Sequence, residues 1–191
     1  MTEPVTISLT RGIAEVTLSR PEKLNAMSRL LIKSLTATIT NVSGDDTLRC
    51  VVISGAGRAF SAGADVVELK NLTLGNAEQF IRLLHRACQA VRDCPVPVIA
   101  KIDGPCHMRG ASERSTFAMP EVQVGIPSVI EAALLPRLMG WGRASELLYT
   151  GRTLTAEEAL DSGIIEKIAP PSNLDHAVAA WTDAILSASP K

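Results

Sequence analysis

Aromatic residues are scarce. Two tryptophans, one tyrosine and three phenylalanines make up 3% of 191 residues. That scarcity argues against a stacking platform for single-stranded nucleic acid. Charge of one sign is also lacking, since 19 Lys and Arg face 20 Asp and Glu, for a formal charge of −1. A nucleic-acid binder needs a basic excess to neutralise phosphates, so this balance speaks against one. Long apolar runs are missing too. The stretch from Val96 to Ala100 is strand-sized, far below the ~20 residues of a membrane helix. Met1-Thr-Glu-Pro-Val5 shows neither a basic nor an apolar leader region, and Ala188-Ser-Pro-Lys191 is not a Ser-Lys-Leu address. A cytoplasmic location without membrane contact is therefore expected.

Metal-type spacing is likewise absent. Cys50, Cys88, Cys94 and Cys106 contain no C-x-x-C pair and lie among apolar residues, which reads as reduced, buried thiols. His85, His107 and His176 make no zinc-type spacing with them, so no metal is expected.

The chain does carry an α/β alternation, with 46% hydrophobic and 20% charged residues, near the globular average. Its length fits one domain over residues 1–191, large enough to stand on a hydrophobic core. Val5 to Leu9 and Ile13 to Leu18 read as strands joined at Arg11-Gly12, a hairpin signal. Ser28 is placed to cap a helix to about Val42, with Leu31, Leu35 and Ile39 on one face. Cys50 to Ser54 is a continuous apolar run suited to a strand covered on both sides. A Gly/Ala-rich loop follows, from Gly55 to Asp65, and then an amphipathic helix from Asn76 or Ala77 to Cys94. Pro97 to Ile102 reads as a further buried strand, followed by a turn from Asp103 to Gly110. Ser128-x-x-Glu131 and Thr155-x-x-Glu158 match the capping box and should start helices. Ile164 to Ile168 reads as a short strand and Leu174 to Ala188 as a last helix. This alternation predicts a largely parallel sheet with crossover helices.

Three segments are candidates for chemistry. In Ser61-Ala-Gly63-Ala64-Asp65, small residues allow close approach to the backbone, and Asp65 can cap a helical turn through Leu69. The Ala64 N–H would then be free to face a developing oxyanion; a ligand-free Gly-rich turn fits the local sequence equally well. In the turn from Asp103 to Gly110, a second backbone N–H could be presented, although by itself this segment reads as a plain turn. In Phe117-Ala-Met-Pro120-Glu121, a carboxylate set between apolar residues is suited to proton transfer, with a solvated strand-end glutamate as the ordinary alternative.

Together, these segments resemble the enoyl-CoA hydratase/isomerase (crotonase) superfamily. The matching stretches are Leu18 to Ala26, Gly55 to Asp65, Ile102-Asp-Gly-Pro105, Phe117 to Glu121 and Val124-Gly-Ile-Pro127. Leu135-Pro-Arg-Leu138, Leu147-Leu-Tyr-Thr-Gly151 and Ala156 to Leu160 extend the match over nearly the whole chain. The resemblance implies an α/β, crotonase-like ββα spiral that binds acyl-CoA thioesters, with coenzyme A as part of the substrate and no other cofactor. It implies Ala64 as the first oxyanion donor and Glu121 as an acid/base. Leu24, Asn25 and Ala26 match the loop that holds the CoA nucleotide, and Ala62, Asp65, Val66 and Pro120 the acyl-CoA contacts. The second donor falls on Arg109 or Gly110.

The chain departs from the family pattern after Cys106. Three glycines, a variable residue and a glutamate are expected there, yet His107-Met-Arg-Gly110-Ala-Ser112 runs straight into Glu113. About three helical turns are missing, including the first catalytic glutamate, so the spiral is expected to be incomplete. Ser112 is the nearest positional equivalent of that glutamate. Ser128 stands where a glycine is usual. Relatives also add C-terminal helices that cover the site and build trimers, so a homotrimer of this chain is expected to be weakened. Two functions follow from the resemblance. One is a hydratase or isomerase working with Glu121. The other is a truncated paralogue or splice product that binds only CoA or a family oligomer.

Overall fold

The computed structural model describes residues 3–102, 108–125, 128 and 130–188. Strands β1 (Val5–Thr10) and β2 (Ile13–Leu18) form the expected hairpin, from Val5 opposite Leu18 to Thr10 opposite Ile13. Arg11 and Gly12 have φ of 51° and 78°, the left-handed pair that a two-residue type I′ loop requires. The apolar side of β2, Ala14, Val16 and Leu18, is fully buried against helix α1 (Arg29–Val42). Ser28 begins α1 as read, its Oγ accepting the Leu31 N–H at 3.3 Å.

Strand β3 (Cys50–Gly55) is apolar on both sides because both are covered. Val51 and Ile53 face the main core with Leu31, Leu35 and Ile39, while Val52 packs with Ile99 and Val178 on the opposite face. Next come helix α2 (Val66–Lys70), helix α3 (Ala77–Arg92) and strand β4 (Val98–Ile102). Phe80 and Ala87 anchor α3 among Leu69, Leu83 and Leu84. Cys50 and Cys94 are buried free thiols and Cys88 is half-buried; burial pushes the Cys50 thiol up to about 11 against the weaker pull of Arg49. Cys106 and His107 lie outside the described residues.

Strand β5 (Met108–Ser112) corrects the sequence reading, which placed a turn there. β5 pairs in parallel with β4, with Ile99 opposite Met108 and Ile102 opposite Ala111. The remaining elements are β6 (Thr116–Ala118), α4 (Leu135–Met139), α5 (Trp141–Thr150), β7 (Thr153–Thr155), α6 (Ala156–Asp161), β8 (Lys167–Ala169) and α7 (Leu174–Ser187). The main sheet runs β1-β2-β3-β4-β5-β8, parallel after the first pair, while β6 and β7 form a small antiparallel ribbon. The α/β expectation with a mostly parallel sheet holds.

Two further readings change. The segment before α4 opens as a 3-10 turn over Ile130–Leu134 rather than an α-helix capped at Ser128. The strand expected from Ile164 begins only at Lys167, because Ile164 and Ile165 turn back to bond the Ala159 carbonyl first. The second capping box forms as read, with Thr155 and Glu158 exchanging hydrogen bonds.

The β4–β5 connection is unusual. Only residues 103–107 separate these two parallel neighbours. Parallel strands normally need a crossover of about a dozen residues or more, usually a helix. The helical turns that the family resemblance leads one to expect would fall here. On its other side, β5 is tied to the segment entering β8. The Arg109 N–H donates to Glu166 Oε2 at 2.6 Å and its guanidinium to Oε1 at 2.5 Å, while the Glu166 N–H returns to the Arg109 carbonyl at 3.0 Å. Arg109 is buried, so this pairing offsets the penalty of taking its charge out of water.

Candidate active site

Two loops meet at the carboxyl ends of β2 and β3, where parallel sheets place their ligands. One spans residues 20–27 and the other residues 55–65. Asn25, fully buried, joins them. Its Oδ1 accepts the Arg20 N–H at 2.8 Å, and its Nδ2 donates to the Ala56 and Ala59 carbonyls at 2.9 and 2.7 Å. Its φ of 54° lies in the left-handed region, where asparagine is among the best tolerated residues. Ser61 Oγ donates to the Asn25 carbonyl at 3.0 Å, and the Ala62 N–H to the Leu24 carbonyl at 2.9 Å. The family resemblance marked Asn25 as part of a loop but gave no sign of this clamp.

Arg20 and Asp65 form the second tie. The Arg20 guanidinium donates to the Ala26 carbonyl at 2.7 Å and to Asp65 Oδ2 at 2.9 Å. Asp65 Oδ1 accepts the Val67 N–H at 2.9 Å and so caps α2, as read. Sequence reasoning missed Arg20; its only signal was the Ser-Arg-Pro-Glu-Lys stretch before Asn25. Burial raises the Asp65 carboxyl, but the Arg20 hydrogen bond, the Val67 N–H and the Arg20 charge outweigh it and hold the group below its usual value. Because the folded value is the lower one, Asp65 stabilises the fold fully above its unfolded value near pH 4, and the effect fades as pH falls through the folded value. Thermal melts from neutral to acid pH should therefore show a steeper loss for the wild type than for Asp65→Asn. Equal slopes would refute the tie.

Ala64 sits between these anchors. The Met27 N–H donates to the Gly63 carbonyl at 2.8 Å, and the Asp65 N–H to the Met27 carbonyl at 3.3 Å. The two groups flanking Ala64 thus turn toward Met27, and in extended backbone the Ala64 N–H turns the other way. It has no hydrogen-bond partner among the described residues, and Ala64 itself is half-buried.

The other expected contacts divide. Ala62 and Val66 are exposed beside Ala64, and Leu24 is half-buried. Ala26 and Asp65 are buried, so their part is to build the loops, with the Asp65 carboxylate already engaged. Glu121 lies in a 3-10 turn over Pro120–Val124 that follows β6, with Pro120 exposed and Glu121 half-buried. The Ser128 hydroxyl donates to Glu121 Oε2 at 3.0 Å, the contact made in place of a helix cap. Among the described residues no hydrogen bond or ion pair links Glu121 to the two loops.

Arg109 and Gly110 are not placed as donors. The Arg109 N–H is already given to Glu166. Gly110 lies inside β5 between Lys101 and Lys167, where backbone groups point along the sheet at neighbouring strands. A side chain there would press within 3.3 Å of the Trp181 ring, so this glycine serves the packing of α7. Ser112, the positional stand-in for the missing glutamate, shares a 3.1 Å hydrogen bond with Ser115. Among the described residues no group of His, Cys, Asp and Glu could hold a metal, and no helix is long and apolar enough to cross a membrane. A cleft of about 280 Å³ does exist, but it lies between the sheet and α7, lined by Val52, Lys101 and Asp175, and includes none of the expected site residues.

The sequence and the fold both have relatives among known proteins. The profile described as enoyl-CoA hydratase/isomerase matches residues 8–191. The chain is 31% identical to the short-chain-enoyl-CoA hydratase of Clostridium acetobutylicum, covering 93% of this chain and 73% of that protein. It is 34% identical to an enoyl-CoA isomerase/hydratase of Mycosarcoma maydis, covering 89% of this chain and 70% of that one. The crystal structure of an enoyl-CoA hydratase from Bacillus anthracis superposes with a TM-score of 0.93 at 28% identity, over 98% of this chain and 78% of that one.

Proposed function

This chain belongs to the enoyl-CoA hydratase/isomerase family, and from that premise we propose that it binds acyl-CoA thioesters across the loops 20–27 and 55–65. The observation that carries the reading is the Ala64 N–H, without a partner among the described residues while both its neighbours bond Met27. It would donate to the thioester carbonyl and stabilise the enolate that forms there, the electrostatic role such N–H groups play best out of water. Glu121 would move the proton, and its hydrogen bond from Ser128 fixes one carboxylate oxygen while leaving the other available.

A second reading, thioester binding with feeble turnover, draws support from β5. With Arg109 and Gly110 built into the sheet, only one of the family's two donors has a counterpart among the described residues. Losing one such donor costs about 10²–10³ in rate. The proposal is therefore slow hydration or isomerisation.

The test is hydration of crotonyl-CoA, followed as loss of absorbance, alongside CoA binding by calorimetry. Glu121→Gln should lower the rate by about 10²–10⁴ while leaving CoA affinity in place. If the variant matches the wild type and both bind CoA, catalysis by Glu121 is refuted and binding alone stands. If a cooperatively melting wild type neither binds nor turns over CoA thioesters, both readings fall.

A further inference from the structure

The outer edge of the sheet is open. β1 lies at one end of the strand order, and no described residue pairs with its far side. The parity of that edge follows from one hydrogen bond. The Ser19 N–H donates to the Pro4 carbonyl at 2.8 Å, continuing the register that sets Val5 opposite Leu18. Antiparallel pairs alternate between bonded and non-bonded. Residues 4, 6, 8 and 10 therefore turn their backbone groups toward β2, and Val5, Ile7 and Leu9 turn theirs outward.

Natural sheets protect such edges with lysine, proline, bulges or a covering segment. β1, Val-Thr-Ile-Ser-Leu-Thr, has no charge and no proline, and its unbroken pairing leaves no bulge. Ile7 and Leu9 are 44% and 57% exposed along it. At its two ends stand Glu3 and Arg11, both exposed and neither in an ion pair among the described residues.

We infer that β1 is the contact for a second copy of this chain, pairing antiparallel about a two-fold axis through Ile7. In that register, Val5 faces Leu9 of the second copy and Ile7 faces its own counterpart. All three outward residues then exchange backbone bonds, about six in total. The same register brings Glu3 of each copy opposite Arg11 of the other. Pairings centred one residue away in either direction also join outward groups, but they separate these charges. A shift of half that step joins an outward residue to an inward one and forms no ladder. Burial of Ile7 and Leu9 supplies the apolar part of the contact.

Light scattering on the full chain tests this. The expected mass is an even multiple of the 20.3 kDa chain, and Ile7→Pro should halve it. The Ile7 N–H points away from β2, so this proline removes only the donor used between copies, and the thermal melt should stay cooperative. Should that variant misfold, Glu3→Arg supplies a second test. It should raise the dissociation constant about tenfold, because the two-fold axis repeats the pair, and added Arg11→Glu should restore it. A wild type that stays monomeric, a folded Ile7→Pro of unchanged mass, or a double variant that fails to recover would each overturn the inference. A monomer that instead captures a foreign extended peptide would do the same.

Discussion

Inserting a Gly-Gly-Gly-x-Glu helical segment of about a dozen residues after Cys106 is expected to raise crotonyl-CoA hydration by at least about 10²–10³, and to raise the melting temperature as well. The rate argument rests on what β5 has taken up. The Arg109 N–H is given to Glu166, and Gly110 sits inside the sheet with β4 on one side and β8 on the other, so neither is left to oppose Ala64 across a thioester oxygen. A new helix would offer unpaired N–H groups at its first turn and a positive dipole end beside them. Its glutamate would add a second carboxylate, worth about 10²–10⁴ as a general base. The stability argument is separate. Parallel β4 and β5 are joined by residues 103–107 alone, where a crossover helix would let the chain return to the start of the next strand and cover apolar surface. Steady-state kinetics and melting of the insertion variant decide the matter. A cooperatively folded insert with no gain in rate would show that the missing segment lies elsewhere.

Asn25→Ala should be among the most damaging single changes. It removes a buried amide and leaves the Arg20 N–H and the Ala56 and Ala59 carbonyls without their partner. It also places alanine at a φ of 54°. Unmet buried groups cost about 1–3 kcal/mol each, though relaxation and water entry reduce the sum. A loss of about 3–5 kcal/mol is expected, a fall of roughly 10 °C in melting temperature for a chain this size. CoA affinity should fall with it, because this side chain is one of the side-chain ties between the loops. Asn25→Asp keeps the acceptor for Arg20 but sets a carboxylate oxygen against the Ala56 and Ala59 carbonyls at a buried position, so its effect should be at least as large. A melt unchanged by Asn25→Ala would refute the clamp.

Much of this molecule can be read from local sequence. The hairpin, α1 with its Ser28 cap, β3, β4, the Asp65 cap and the Thr155 capping box each follow from residue types within a few positions of one another. The site is legible in a different way. Local residue types offer Ala64 and Glu121 only beside a plain Gly-rich turn and a solvated strand-end glutamate. It is the comparison of the ordered stretches from Leu18 to Leu160 with a family that favours them. What stayed hidden involves distant partners. Arg20 joins Asp65 across 45 positions, and Arg109 meets Glu166 across 57, and neither pairing leaves a local periodicity. Met108–Ser112 reads as a turn because its glycine follows Asp103-Gly-Pro105. Two flanking strands and the Trp181 ring override that local preference. Ser128 misleads for a related reason: its hydroxyl can accept from a helix or donate to a carboxylate, and Glu121 wins it.

The tie between Arg109 and Glu166 also sets an order of assembly. During synthesis, β1 to β5 leave the ribosome well before β8, and the chain emerges at about 5–20 residues per second. Until Glu166 follows, the Arg109 guanidinium has no carboxylate to meet, and desolvating it alone is unfavourable. The β5 flank of the nascent sheet therefore stays open while the earlier hairpin and α1 can already pack. Closure waits for the last strand of the sheet, so an arrested chain ending before Glu166 exposes the β5 flank that the finished one conceals.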